Sequence, residues 1–170
     1  RSEWVKLPVA LSDGSYLASD TLQVVVSNVA PTATLTSDGP KDEGSAVTVT
    51  FDQVADPGTA DTFTYAFDWD NDGTYEIVDQ TTPSAQHTWD DNGTYTVGGR
   101  IEDDDGGANV YTVDVTVTNV APTIALTGAE SVDEGSTYVL TLGAVTDPGT
   151  DTVTACTVHW GDDTTDDCTV

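Results

Sequence analysis

Asn28-Val29-Ala30-Pro31-Thr32 returns as Asn119-Val120-Ala121-Pro122-Thr123, an offset of 91 residues. The same offset lays Asp42-Glu43-Gly44-Ser45 on Asp133-Glu134-Gly135-Ser136, Asp56-Pro57-Gly58-Thr59 on Asp147-Pro148-Gly149-Thr150, and Trp69 on Trp160. Self-similarity in one register, without a gap, is the mark of a repeated structural unit. One whole repeat spans 28–118, and 119–170 reads as the N-terminal part of the next. Residues 1–27 read as the C-terminal strands of a preceding repeat. There Val5, Leu7, Val9 and Leu11 alternate as Tyr95, Val97, Gly99 and Ile101 do, and Leu22, Val24 and Val26 stand for Val113, Val115 and Val117.

Within a repeat the apolar period is two. Val47, Val49 and Phe51 alternate with Thr, and Phe63, Tyr65, Phe67 and Trp69 alternate with Thr, Ala and Asp. Alternation bounded by Gly, Pro and Asp clusters is the pattern of half-buried antiparallel strands. The Thr and Val content suits a pleated, half-exposed surface. No stretch carries helical spacing. Strands are expected near 32–36, 46–54, 61–69, 74–78, 85–89, 94–102 and 109–118. Seven short strands in about 90 residues predict a two-sheet sandwich. Asp91-x-Gly93-x-Tyr95 has the form of the corner at the start of the sixth strand, where a tyrosine hydroxyl bonds back to the chain.

Composition limits the partners. Four basic side chains face 30 acidic ones among 170 residues, a formal charge of −26. Phosphate binding needs Lys and Arg, so nucleic acid and anionic membrane surfaces are excluded as natural partners. No run approaches the ~18 apolar residues of a membrane span. Apolar residues make up 37% of the chain, enough with its 15 glycines for a packed core and too many for a disordered acidic tail. Arg1 has no signal-type stretch behind it, so the start is expected to be processed, trimmed or cut from something longer.

Several motifs together resemble the polycystic-kidney-disease (PKD) repeat. They are the Asn-Val-Ala-Pro-Thr linker, Asp-Glu-Gly-Ser, Asp-Pro-Gly-Thr, Phe67-Asp68-Trp69-Asp70, His87-Thr88-Trp89, Gly93-Thr94-Tyr95-Thr96-Val97 and Asp103-Asp104-Asp105-Gly106-Gly107. The resemblance implies an all-β fold of tandem immunoglobulin-like antiparallel β-sandwiches, one complete unit flanked by two partial ones. It also implies a secreted or cell-surface setting and service as a spacer, adhesive module or accessory domain. It fixes the fold far better than the function.

The strongest chemical motif is Asp68-x-Asp70-x-Asp72-Gly73, followed by Glu76 and Asp79. Calcium takes six to eight oxygens, and carboxylates at every second position can supply them. Gly73 stands at the sixth position, where such loops turn sharply, and Asp79 at the twelfth. The motif resembles calcium loops of the Asp-x-Asp-x-Asp-Gly type without flanking helices. Asp rather than Glu at the twelfth position counts against bidentate closure. The competing reading is a solvated hairpin turn whose Asp and Asn suit turn geometry. In the next repeat His159-Trp160-Gly161-Asp162-Asp163 replaces the motif, so no equivalent site is expected there, and a lone His159 makes no metal centre.

A sandwich also gathers loops at its two ends. The turns Asp56–Asp61 and Asp103–Gly107 are expected to share one pole with the incoming linker, and Asp42-Glu43, the Asp68–Asp72 loop and Asp90-Asp91 the other. Stacked repeats would press acidic pole on acidic pole around Asn119, where a divalent cation reverses the repulsion. Asp56, Asp103, Asp104 and Asn119 are the candidate junction ligands, and Ca2+ the expected ion. At constants of about 10⁻⁴–10⁻³ M and roughly millimolar calcium, one site contributes only about 0.4–1.4 kcal/mol. Its larger effect would be on stiffness. The competing reading is solubility from net charge, or adaptation to salt.

Trp69 and Trp160 fall on the core face with Phe63, Tyr65 and Phe67, which leaves only Trp4 and Trp89 for a sugar-stacking platform, too few to make one. If Trp160 pairs with Thr164 across a three-residue turn, Cys156 lies opposite Cys168, close enough to bridge. Such a disulfide suits an oxidising compartment; the alternative is two small buried residues. No nucleophile motif accompanies His87 or His159, no Gly-rich phosphate loop exists, and turns on a sandwich pole offer no desolvated acid–base pair, so the chain is not expected to be an enzyme. Asn92-Gly93-Thr94 is a glycosylation sequon, which matters only in a secreted protein.

The partial repeats leave apolar faces and open strand edges. The head of one copy and the tail of another supply all but about 12 of the 91 residues of a repeat, the counterpart of Gln80–Asp91. Strand complementation of that kind builds a head-to-tail filament. The rival is a window on a longer tandem array. The functional expectation is a non-catalytic, calcium-stiffened extracellular structural or adhesive module in a filament, stalk or adhesin. Its partners would be copies of itself, neighbouring repeats, or a glycan or other surface ligand. The alternative is a spacer or substrate-presenting domain beside a secreted hydrolase.

Overall fold

Every regular element of the computed structural model, which describes residues 3–15 and 17–168, is a β-strand, as the Thr/Val alternation predicts. β1 (Glu3–Ser12) and β2 (Leu17–Val26) pair antiparallel, with Val5 opposite Val24 and Leu7 opposite Leu22. β3 (Thr32–Ser37), β4 (Lys41–Asp42), β5 (Ala46–Ala55), β6 (Phe63–Asp68), β7 (Ile77–Gln80), β8 (Ser84–Thr88), β9 (Gly93–Asp103) and β10 (Ala108–Thr118) build the complete repeat. They form two sheets, ordered β3-β5-β8 and β4-β10-β9-β6-β7. The remaining repeat contributes β11 (Thr123–Gly128) with β12 (Leu140–Thr146), and β13 (Thr157–His159) with β14 (Thr165–Asp167).

The Cα framework divides into two compact units that cut across the repeat boundaries. The first holds Arg1–Ser37, Val49–Ala85 and Thr96–Asp114. Its core is aromatic. The Phe51 ring of β5 lies 5.3 Å from Tyr65 and 5.5 Å from Phe67 of β6, so the two sheets meet face to face here. Leu35, Val97 and Ile101 complete the contact, all buried. A side chain of Phe67's size, fully buried, contributes about 1.5–3 kcal/mol by removal of apolar surface from water. β9 approaches so closely that a Cβ on Gly99 would stand 2.7 Å from Phe51 Cζ.

Strict alternation fails on β6, where Ala66 and Asp68 are buried as well as Tyr65 and Phe67. Ala66 pairs with Arg100 across the sheet, and the Arg100 guanidinium extends 5.8 Å above the Tyr75 ring. The strand expected near 74 begins at Ile77, and Glu76 just before it accepts the Trp69 N–H at 2.8 Å.

The second unit holds Asp38–Thr48, Gln86–Tyr95 and Val115–Val170. β4 runs parallel to β10, with Lys41 opposite Val117 and Asp42 opposite Thr118. Trp89 is 8% exposed and stacks on Tyr95 at 5.0 Å, so it offers no sugar platform. The side chain of Trp4 lies outside the described residues. Tyr95 donates its hydroxyl to the Asp91 carbonyl at 2.8 Å, the expected corner. Trp160 departs from the core expectation: it is half-buried, its indole N–H donates to Asp166 Oδ2 at 2.8 Å, and Tyr138 meets it edge-on at 6.4 Å. The Trp160 N–H donates to the Thr164 carbonyl at 3.0 Å, and a disulfide joins Cys156 to Cys168 with Cα atoms 5.1 Å apart.

Candidate functional site

Three groups of carboxylates each bring one oxygen per residue within 4.8 Å of the others. The ion pairs Lys41–Asp38 and Arg100–Glu102 lie outside all three.

The first group is Asp68, Asp70 and Glu76. Asp68 ends β6 and is 2% exposed, with Oδ2 accepting the Gly73 N–H at 2.8 Å and Oδ1 the Asp72 N–H at 3.2 Å. Gly73 turns the loop at φ +93°, a region open to glycine at little steric cost. Burial, then the neighbouring Asp72 carboxylate, pushes the Asp70 carboxyl above its ordinary value. Asp72 and Asp79 do not join the group. Asp72 Oδ1 accepts the Thr74 N–H at 2.7 Å, and Asp79 sits within β7 at φ +53°. The loop therefore gathers three of the five expected residues, and turn amides already occupy several of their oxygens.

The second group is Asp56, Asp61 and Asp103, at the pole where the linker enters. Asp103, the last residue of β9, is 4% exposed. Its Oδ1 accepts the Gly107 N–H at 2.8 Å and the Asp105 N–H at 3.0 Å. Burial alone would raise its carboxyl, but the Asn28 amide and the N–H groups of Gly107, Asp105 and Gly106 outweigh it and hold it below the ordinary carboxylate value. Asp61 moves the other way: burial, then Asp56, raises it. One oxygen of Asp56 (Oδ2) is buried without a hydrogen-bond partner. A cleft of about 350 Å³ lined by Asn28, Asp56, Asp61 and Asp105 sits here. Asp104 does not join; its Oδ1 accepts the Thr62 N–H at 2.9 Å and ties the two turns together.

The third group is Glu43, Asp147 and Asp151. Asn119 belongs with it: its amide end lies 2.5 Å from Asp151 Oδ2 and 3.0 Å from Glu43 Oε1. Of the four expected junction residues, Asp56 and Asp103 thus share one cluster and Asn119 stands in another. Glu43, Asp61, Asp147 and Asp151 were not singled out as ligands. The signal for one was present, since the 91-residue offset that carries Asn28 to Asn119 also carries Asp56 to Asp147. Asn92 is exposed in the turn before β9, and His159 is exposed on β13.

These clusters are all-oxygen and anionic, which suits a hard cation of calcium's size. A buried carboxylate oxygen with no donor is costly unless a cation or water meets it, so the second and third groups fit a metal better than the first, whose oxygens appear in no such unpaired state.

The profile of the PKD domain family matches residues 28–118. No curated protein matches the chain. Among solved structures, the PKD1 domain of Vibrio anguillarum Epp is 23% identical, covering 54% of this chain and 96% of its own, with a TM-score of 0.42. The PKD domain of an M14-like peptidase from Thermoplasmatales archaeon SCGC AB-540-F20 is 28% identical, covering 54% of this chain and 98% of its own, at TM-score 0.39. A structure addressing the promiscuous specificity of carbohydrate-binding modules from the beta-sandwich superfamily is 17% identical, covering 68% of this chain and 54% of that one, at TM-score 0.46. With 91 of its 170 residues inside the family profile, from Asn28 to Thr118, the chain belongs to the PKD domain family.

Proposed function

We propose that the chain is a non-catalytic extracellular structural module, stiffened by calcium and stacked end to end with further repeats in a filament, stalk or adhesin. Domains of this family are generally non-catalytic accessory modules and occur in extracellular proteins. No helix among the described residues is long and apolar enough to cross a membrane.

The observation that carries the calcium reading is the linker pole. Asp56, Asp61 and Asp103 converge, Asp61 is pushed toward its neutral form, and a buried oxygen of Asp56 lacks any donor. A calcium ion there supplies the missing positive charge. This chain's part is to hold the carboxylates and the Asn28 amide in place. The Asp68 loop is the lesser candidate, since its carboxylates already serve the turn.

End-to-end stacking is supported by apolar side chains exposed on the outer strands. Val5, Leu7, Val9 and Leu11 on β1, and Leu22, Val24 and Val26 on β2, are all exposed, as are Ile124 and Leu126 on β11. Exposed apolar rows on open strands are the edges that neighbouring repeats cover.

Thermal melting in calcium chloride and in chelator tests the calcium reading. The midpoint is expected to rise with calcium, and Asp56→Asn to shrink the difference; identical melts in both conditions would remove calcium from the function. Electron microscopy at high protein concentration tests self-assembly, for which a discrete monomer is the adverse result. Strong capture by an insoluble polysaccharide or protein fibre would favour a substrate-presenting domain beside a hydrolase instead.

A further inference from the structure

We propose that Glu43, Asn119, Asp147 and Asp151 form a separate calcium site, in which the glutamate of the Asp42-Glu43-Gly44-Ser45 turn serves as a ligand for the repeat that follows its own. The inference rests on the calcium reading above but assigns a different set of residues.

Glu43 is the central observation. It is 2% exposed, its Oε1 accepts the Val120 N–H at 2.7 Å, and its Oε2 is buried with no partner. A buried glutamate oxygen aimed at two further carboxylates is unfavourable unless a cation lies among them. Asp147 repeats the pattern, with its Oδ2 also buried and partnerless. The approach is close: a Cβ on Gly149 would stand 2.6–2.8 Å from the carboxylate atoms of Glu43, so a larger residue there would require that carboxylate to shift. Backbone contacts fix the same turn, with the Thr150 N–H donating to the Asp90 carbonyl at 2.8 Å.

The repeat explains the donor set. Asn28 and Asp56 stand in the linker-pole cluster, and 91 residues later Asn119 and Asp147 stand in this one. Each cluster is therefore built on a linker asparagine and an Asp-Pro-Gly-Thr turn. The third wall differs, being Asp103 in the first and Glu43 in the second. Clefts of about 350 and about 310 Å³ adjoin the two. Glu134, the repeat equivalent of Glu43, is exposed. Asn119 suits both states of the site. With its nitrogen inward it donates to Asp151 and Glu43; with its oxygen inward it becomes a fourth oxygen ligand, as calcium requires.

Equilibrium dialysis of the full chain against calcium chloride, counting bound calcium, tests this. Glu43→Gln, which keeps the shape and the acceptor for Val120, is expected to lose one bound calcium per chain, as is Asp151→Asn. Asp151 is exposed, so its loss does not endanger the fold. Asp56→Asn should lose a different one, and the double variant Glu43→Gln/Asp56→Asn both. Unchanged stoichiometry in Glu43→Gln and Asp151→Asn, with a loss in Asp56→Asn, would overturn this site and leave the linker-pole reading standing. No calcium bound to the unsubstituted chain would overturn both.

Discussion

Asn28 donates through its side-chain amide to both carboxylate oxygens of Asp103, at 3.0 and 2.9 Å, across 75 residues of sequence. The pair ties the linker to the end of β9 and keeps Asp103 ionised, while Asp61, beside the same cluster, is pushed toward protonation.

That contrast sets a pH dependence. Asp103 has its folded value below the ordinary 3.8, so its stabilisation is complete above that value and is lost as pH falls through the lower folded one. Asp61, raised in the fold, opposes folding at neutral pH and ceases to do so on protonation. Denaturant melts between pH 2 and 6 (roughly the carboxylate range) should show Asp103→Asn with a flatter acid limb than the parent. Asp61→Asn should be more stable than the parent in chelator and lose that advantage in calcium.

Gly99 tests the sheet contact. A methyl group there meets Phe51 and Leu35 inside van der Waals range. Gly99→Ala is expected to cost about 1–3 kcal/mol from overpacking, read as a lower urea midpoint with unchanged slope.

Asp68 separates turn chemistry from ion chemistry. Asp68→Ala strands the Gly73 N–H and leaves the Asp72 N–H with only Asp70 Oδ1, at 3.3 Å. A loss of about 1–3 kcal/mol is expected, of equal size with calcium and with chelator. A loss seen only in calcium would make the loop a metal site after all.

The Cys156–Cys168 bridge closes a separation of 12 residues. Loops of that size correspond to about 3 kcal/mol of constraint. Reduction should therefore speed amide exchange at Thr157 and Val158 and change the fluorescence of Trp160, while leaving the protection of β5 and β6 intact.

The strand pattern was written locally, because a pleated sheet exposes alternate residues and the alternation of Val47, Val49 and Phe51 survives in their burial. It failed where burial comes from outside the sheet face. Turn amides hold Asp68 inward, and Trp160 stays half-buried where its repeat equivalent Trp69 is buried. The clusters follow the same division. Asp56 and Asp103 were legible as ends of turns sharing a pole, whereas Asp104 and Asp72 look equivalent in sequence and are spent on backbone N–H groups.

Sequence alone determined the repeat, the all-β class, the tyrosine corner and the charge, since each rests on spacing or composition. Tertiary structure alone decided which carboxylates meet. Glu43 and Glu134 occupy the same motif, yet only Glu43 is buried, against Asp147, Asp151 and Gly149 more than 100 residues along the chain. Charge repulsion and desolvation act through space, and the partners that set them are chosen by chain packing.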